Sequence, residues 1–160
     1  MKYIIDGHNL IPNIPGLTLS DLDDEVQLIR LIQEYCRLSR SQAELFFDGA
    51  PPAYKLQGGG GSVHMHFVRK GTSADDAIIQ YMHHAGQNKQ NLTLVTSDHR
   101  IHAEARSLGI KILESPMFAR VMIQMLRAAQ DTRSKAEPEL SSSEVDQWLE
   151  IFGSDRNKNS

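Results

Sequence analysis

Five short apolar runs, rich in β-branched and aromatic residues, are spaced along the chain. They are Tyr3-Ile4-Ile5, Leu45-Phe46-Phe47, Val63 to Val68, Leu92 to Thr96, and Ile110 to Leu113. Runs of this length bounded by polar residues predict buried strands. Between most of them the apolar positions change to helical spacing. Leu22, Val26, Ile29, Ile32 or Gln33, and Cys36 step along one helix behind a Ser20 cap. Ala74 to His84 forms a second helix. Arg100 to Leu108 forms a third, stopped by Gly109. Ser115-Pro116 opens a fourth, which runs to about Ala129. Strands alternating with helices predict an α/β domain with a mainly parallel sheet.

Two stretches break the pattern. The segment 50–62 (APPAYKLQGGGGS) reads as a loop. Its glycines lack the Gly-Lys-Ser/Thr ending of a phosphate loop, and no helix follows. Residues 131–141 read as a linker that closes a domain spanning 1–130. Beyond it, Ser141 and Glu144 fit a capping box, and Val145, Trp148, Leu149 and Phe152 share one helical face. A helix over 142–153, packed on its own domain, is the expectation. Residues 154–160 read as a disordered tail.

Composition narrows the class. The chain has 160 residues, 40% of them hydrophobic, enough for one domain with a real core. Cys36 is the one cysteine, so no internal disulfide can form, and a reducing compartment is expected. No stretch reads as a signal peptide or a membrane span, so the expected location is the cytoplasm. The net charge of −3 is unevenly placed. Residues 1–53 carry 4 Lys/Arg against 8 Asp/Glu, 54–135 carry 11 against 6, and 136–160 carry 2 against 6. The basic middle suits a polyanionic substrate.

The candidate chemistry lies at the strand ends. Asp6 closes the first strand, Asp48 the second, and Asp98 follows the Leu92–Thr96 strand. Asp75-Asp76 open the helix after the third. In a parallel sheet with crossover helices, strand C-termini and helix N-termini share one edge, where ligands bind. Each acid has a structural explanation by itself. Asp98 can cap a helix, Asp48-Gly49 can make a turn, and Asp76 stands three residues after Ser73, a capping-box position. Together they predict a site. Clustered carboxylates repel and raise each other's pKa unless a cation neutralises them. Oxygen ligands favour Mg²⁺ or Mn²⁺, one or two of which activate water and stabilise a phosphoryl group in transfer. Histidine pairs (His64 and His66, His99 and His102, His83 and His84) offer zinc as a competing reading, but share no evident location with Cys36. A phosphatase of the haloacid-dehalogenase type needs Asp-x-Asp on the first strand, where this chain has Asp6-Gly7-His8.

These residues resemble a known family. IIDGHNLI, LFFDGAPP, FVRKGTSADDAIIQYM and LVTSDHRIHAEARSLGI fall in the order of NYN domains, PIN-like nucleases, in their bacterial YacP-like branch. LSSSEVDQWLEIFG resembles that branch too. The resemblance implies a Rossmann-like three-layer fold, with a five-stranded sheet in order 3-2-1-4-5 and the Tyr3 strand at its centre. It implies Mg²⁺- or Mn²⁺-dependent hydrolysis of RNA within the chain, in part on ribosome-associated mRNA. By position, Asp6, Asp75 and Asp98 match the family acids, with Asp48 as a weaker fourth metal ligand. Asn9 matches the polar partner of Asp6, and His8 stands where Tyr is common. Asn9, Asp76, Thr96 and Ser97 are expected behind the ligands, orienting them or contacting substrate. Arg69, Lys70 and Arg100 are expected to contact RNA phosphates. The alternative is an RNA- or ribosome-binding module that holds a structural ion and does not cleave.

Overall fold

The structure, a computed structural model, describes residues 1–18, 22–49, 61–69 and 71–136. Five strands form one fully parallel sheet: β1 (Lys2–Asp6), β2 (Gln42–Asp48), β3 (Val63–Val68), β4 (Leu92–Val95) and β5 (Lys111–Leu113). Their order is β3-β2-β1-β4-β5, so β1 is central and the sheet changes winding direction beside it. The expected fold class and strand order are both present. The helices are α1 (Gly7–Leu10), α2 (Leu22–Ser39), α3 (Ala74–His84), α4 (His99–Leu108) and α5 (Ser115–Ala136).

The period of two along a strand sorts the core into two layers. Tyr3 and Ile5 of β1, with Ala43, Leu45 and Phe47 of β2, pack against α2 and α5. Ile4 of β1 and Phe46 of β2 point the other way and pack with Ile78 of α3 and Ile101 of α4. Asp6 shares the parity of Ile4, and Asp48 that of Phe46. Both acids therefore project on the α3/α4 side, where Asp75 and Asp98 begin their helices.

Gly7 explains why the first acid is followed by glycine. A Cβ at Gly7 would stand 2.3 Å from the Phe47 ring. The chain turns from β1 into α1 against that ring, and any side chain would push it out of the core. His8 then lies edge-on to Phe47, at 5.3 Å between centroids, and pairs with Glu25 of α2 at 2.8 Å.

Two element ends differ from expectation. α4 starts at His99, with Asp98 as its N-cap, and stops at Gly109 with φ 73°. α5 runs to Ala136, so residues 131–136, expected as linker, are helical. No Gly or Pro interrupts the chain until Pro138, and polar helix formers extend the helix past its apolar stripe. The expected Ser20 cap, most of the 50–62 loop, Lys70, and the expected helix over 142–153 with its tail lie outside the described residues.

Candidate active site

The sheet topology brings four acids from four elements to the C-terminal edge of β1, β2 and β4. Asp6 ends the central strand and is buried, 7% exposed. It stands at the N-cap of α1 without closing a capping hydrogen bond. Asp48 ends β2, and its Oδ1 accepts the Ala74 N–H at 2.7 Å, which fixes the start of α3. Asp75 is the second residue of that helix. Asp98 accepts the Arg100 N–H on Oδ1 at 2.9 Å and caps α4.

The electrostatics show that these groups act on one another. The Asp6 carboxyl is raised to about 6, first by burial and then by the Asp75 charge, with Asp48 adding a smaller push. The Asn9 backbone amide and His8 pull the other way. The Asp75 carboxyl is raised too, first by burial and then by the Asp98 carboxylate beside it. Carboxylates this close repel one another, so the edge is over-supplied with negative charge. Arg100 offsets part of it, with Nη2 at 3.5 Å from Asp75 and 3.6 Å from Asp76.

Behind the acids, Asn9 ties three elements together. Its Oδ1 accepts the Ser97 N–H at 2.8 Å and the Ser115 hydroxyl at 2.6 Å. Ser97 Oγ accepts the Ser115 N–H at 3.3 Å. The ends of β1 and β4 and the start of α5 are thereby locked. Thr96 is fully buried, and its Oγ1 accepts the Asp98 N–H at 3.2 Å, shaping the turn that aims Asp98. Asp76 donates its backbone N–H to Ser73 Oγ at 3.1 Å and leaves its carboxylate exposed beside Arg100. Arg69 is exposed just past β3.

Two supporting residues escaped the sequence reading. Ser115 was legible only as a helix start, because its partner Asn9 lies 106 residues away. His102 was legible as half of a metal pair with His99. It is instead buried, with Nε2 at 2.6 Å from the Thr96 carbonyl. Its position on the inner face of α4, three residues into an amphipathic pattern, was the available signal. The other zinc candidates also have partners: His64 and His66 meet Glu44, His83 meets Glu104, and His84 Nδ1 meets the Gln80 carbonyl.

Among the described residues, no three His, Cys, Asp or Glu side chains close on one point as they stand. Asp48 and Asp98 each commit one oxygen to a backbone N–H. The donor chemistry nonetheless fits a hard, hydrated cation: oxygen ligands only, mutually repelling, and each of these two with a second oxygen. Mg²⁺ keeps several of its waters, so one or two direct carboxylates are enough. Asp6, Asp48, Asp75 and Asp98 are the carboxylates this edge would offer such an ion.

The family model described as the YacP-like NYN domain matches residues 3–152, nearly the whole chain. The chain belongs to the YacP-like NYN family. Solved structures of Rae1 (YacP) from Bacillus subtilis share its fold. The crystal structure of Rae1 (YacP) from Bacillus subtilis has TM-score 0.74 at 18% identity, covering 99% of this chain and 94% of that one. Its W164L mutant has TM-score 0.70 at 18% identity, covering 96% and 98%. No curated protein matches the chain. The family is nuclease-like and RNA-related, and its members generally use divalent metals. Among the described residues, no helix is long and apolar enough to cross a membrane.

Proposed function

We propose that this protein is a metal-dependent endoribonuclease that hydrolyses RNA phosphodiester bonds, acting in the cytoplasm on mRNA, in part on the ribosome. One observation carries the reading: carboxylates from four chain-distant elements meet at one sheet edge, and the central one, Asp6, is raised to about 6 by burial and by its acidic neighbours. A perturbed acid cluster at the edge where α/β sheets bind ligands is a functional site before it is a structural one. Asp6, Asp75 and Asp98 hold Mg²⁺ or Mn²⁺, with Asp48 contributing. The ion supplies Lewis-acid stabilisation of the scissile phosphate and a nucleophile from water at neutral pH. The protein's own part is positional. Asn9, Ser97 and Thr96 fix the strand ends, and Asp48 fixes the start of α3. Asp76 shares Arg100 with Asp75. With Asp75 holding a cation, Arg100 would be free to meet RNA phosphates, and Arg69 and Lys70 are the other cations proposed for RNA contact.

A second reading, RNA binding without cleavage, draws on the engagement of Asp48 and Asp98 with backbone amides. Incubation of end-labelled RNAs and of translating ribosomes with wild type and Asp6→Asn, with and without EDTA, separates the two. Internal cuts by wild type, lost in Asp6→Asn and in EDTA, are expected. Equal cutting by both proteins means a contaminant. RNA retention with no cutting under any condition moves the case to the binding module.

A further inference from the structure

The opposite edge of the sheet carries a second feature. A cavity of about 640 Å³ opens beside the N-terminal ends of β1, β2 and β4. It lies beside Lys2, four residues and roughly 13 Å along β1 from Asp6. None of the residues lining it is acidic.

Two cations face it, Lys2 held by side-chain partners and Arg40 set by its backbone. Lys2 Nζ donates to Glu44 Oε1 at 3.3 Å and to the Tyr81 hydroxyl at 3.2 Å. Arg40 follows the last residue of α2 with φ 53°, and among the described residues it is the one non-glycine in the left-handed region. That position normally takes glycine or asparagine, because a Cβ there is strained. The Arg40 guanidinium is exposed and forms no ion pair among the described residues. A strained backbone that presents an unpaired cation to a cavity points to a ligand. The remaining wall is mixed. Gln42, Asn88 and Asn91 offer amides that both donate and accept, and Ala85 and Leu92 offer apolar surface. The helix C-termini of α2 and α3 bring partial negative charge to this edge. Two full cations against the single Glu44 carboxylate leave the balance positive.

We propose that this cavity binds a nucleoside phosphate, with Lys2 and Arg40 on the phosphate and the amides on the ribose and base. Its volume lies in the range of small-ligand sites, and arginine beside lysine is suited to phosphate. Free mononucleotide and the 5′-end of an RNA carry the same group.

Titration calorimetry of the full chain in EDTA tests this, and because no divalent cation is present the result is independent of cleavage at the acidic edge. The probes are adenosine monophosphate, adenosine, inorganic phosphate, and a six-nucleotide RNA with either a 5′-phosphate or a 5′-hydroxyl. Saturable one-to-one binding of the monophosphate is expected, at least tenfold tighter than adenosine. Arg40→Gly is expected to weaken it at least tenfold while melting at or above wild type, because glycine takes φ 53° without strain. Asn88→Ala is expected to weaken the monophosphate and leave inorganic phosphate unchanged. A 5′-phosphorylated RNA that binds tenfold tighter than the monophosphate identifies the RNA end as the source, and equal binding identifies the free nucleotide. No saturable binding by wild type, or equal binding by wild type and Arg40→Gly, overturns the proposal.

Discussion

Two carboxylates, Asp6 and Glu44, lie on neighbouring strands, on the same face of the sheet, and equally deep. Asp6 is 7% exposed and Glu44 is 5% exposed. Their surroundings differ in sign. Glu44 accepts from Lys2 at 3.3 Å, Tyr81 at 3.3 Å and His66 at 2.6 Å, with His64 at 3.4 Å. His66 is itself stacked on Phe46, ring centroids 4.4 Å apart. Burial pushes the Glu44 carboxyl up, but the hydrogen bonds and charges of His66 and Lys2 outweigh it and hold the group below its ordinary value. Asp6 has acids for neighbours, so burial and charge push the same way and it rises to about 6. Depth does not distinguish a structural carboxylate from a functional one. Partners do: Glu44 is satisfied by the fold, whereas Asp6 is surrounded by like charge, as the proposed cation site requires.

The sharpest way to break this comparison is Asp6→Asn. With Mn²⁺ present, cleavage is expected to fall by at least about 100-fold, more than the usual loss when only a supporting group is removed. Without metal the same variant is expected to melt at or above wild type. The Asp6 carboxyl is raised above its unfolded value of 3.8, so its charge penalises the fold fully above pH about 6, and the penalty fades as pH falls toward 3.8. At neutral pH the gain is up to about 3 kcal/mol. Thermal melts in EDTA at pH 7.5 and pH 4.5 check the sign. The advantage of the variant is expected to shrink at the lower pH, and an advantage that grows on acidification would contradict it.

Glu44→Gln is the mirror experiment. It leaves Lys2 and His66 without their anion, and a loss of about 1–3 kcal/mol is expected. Specific cleavage activity is expected to stay at the wild-type level. The pH dependence runs opposite to that of Asp6. The Glu44 carboxyl is lowered, so its contribution is present above its unfolded value of 4.5 and is lost as pH falls through the folded value. Urea unfolding at pH 7 and pH 3.5 reads this directly. The gap between wild type and Glu44→Gln is expected to narrow on acidification, and an equal gap at both pH values would place Glu44 outside the ion-pair cluster.

The two carboxylates were unequally legible in the sequence. Asp6 could be found because the strand-then-Asp ending recurs at Asp48 and Asp98, and parallel topology puts such endings on one edge. Glu44 gave no sign. It stands just before the Leu45-Phe46-Phe47 run, and its histidine partner His66 is 22 residues away, across a connection whose register only the fold decides. The same histidines therefore read as zinc candidates. The parallel sheet followed from the alternation of strands and helices, while the order 3-2-1-4-5 came from the family resemblance and not from periodicity. Helix ends marked by Gly109 and Asp98 were readable from local chemistry. The end of α5 was not, because a solvated helical turn and a polar linker share a composition. The contact of Gly7 with Phe47 was hidden for the reason that hid Glu44: side-chain packing between strands leaves no trace at local spacing.

The smallest expected effect separates two adjacent acids. Asp75 and Asp76 both open α3, and both approach Arg100. Asp75 belongs to the cluster: burial and the nearby Asp98 carboxylate raise its carboxyl, and its charge is the largest acidic influence on Asp6. Asp76 holds its place through its backbone, which donates to Ser73, and its side chain is 56% exposed. Asp76→Asn keeps that backbone bond and loses only a solvated charge near the positive end of the helix, so it is expected to cost less than about 1 kcal/mol. Mn²⁺ affinity is expected to remain within about twofold, whereas loss of a direct ligand in Asp75→Asn is expected to weaken it by at least about 10-fold. Calorimetric Mn²⁺ titration of the two variants side by side decides the order. If Asp76→Asn loses the ion and Asp75→Asn keeps it, the exposed carboxylate is the ligand, and the raised Asp75 carboxyl reports only crowding by its acidic neighbours.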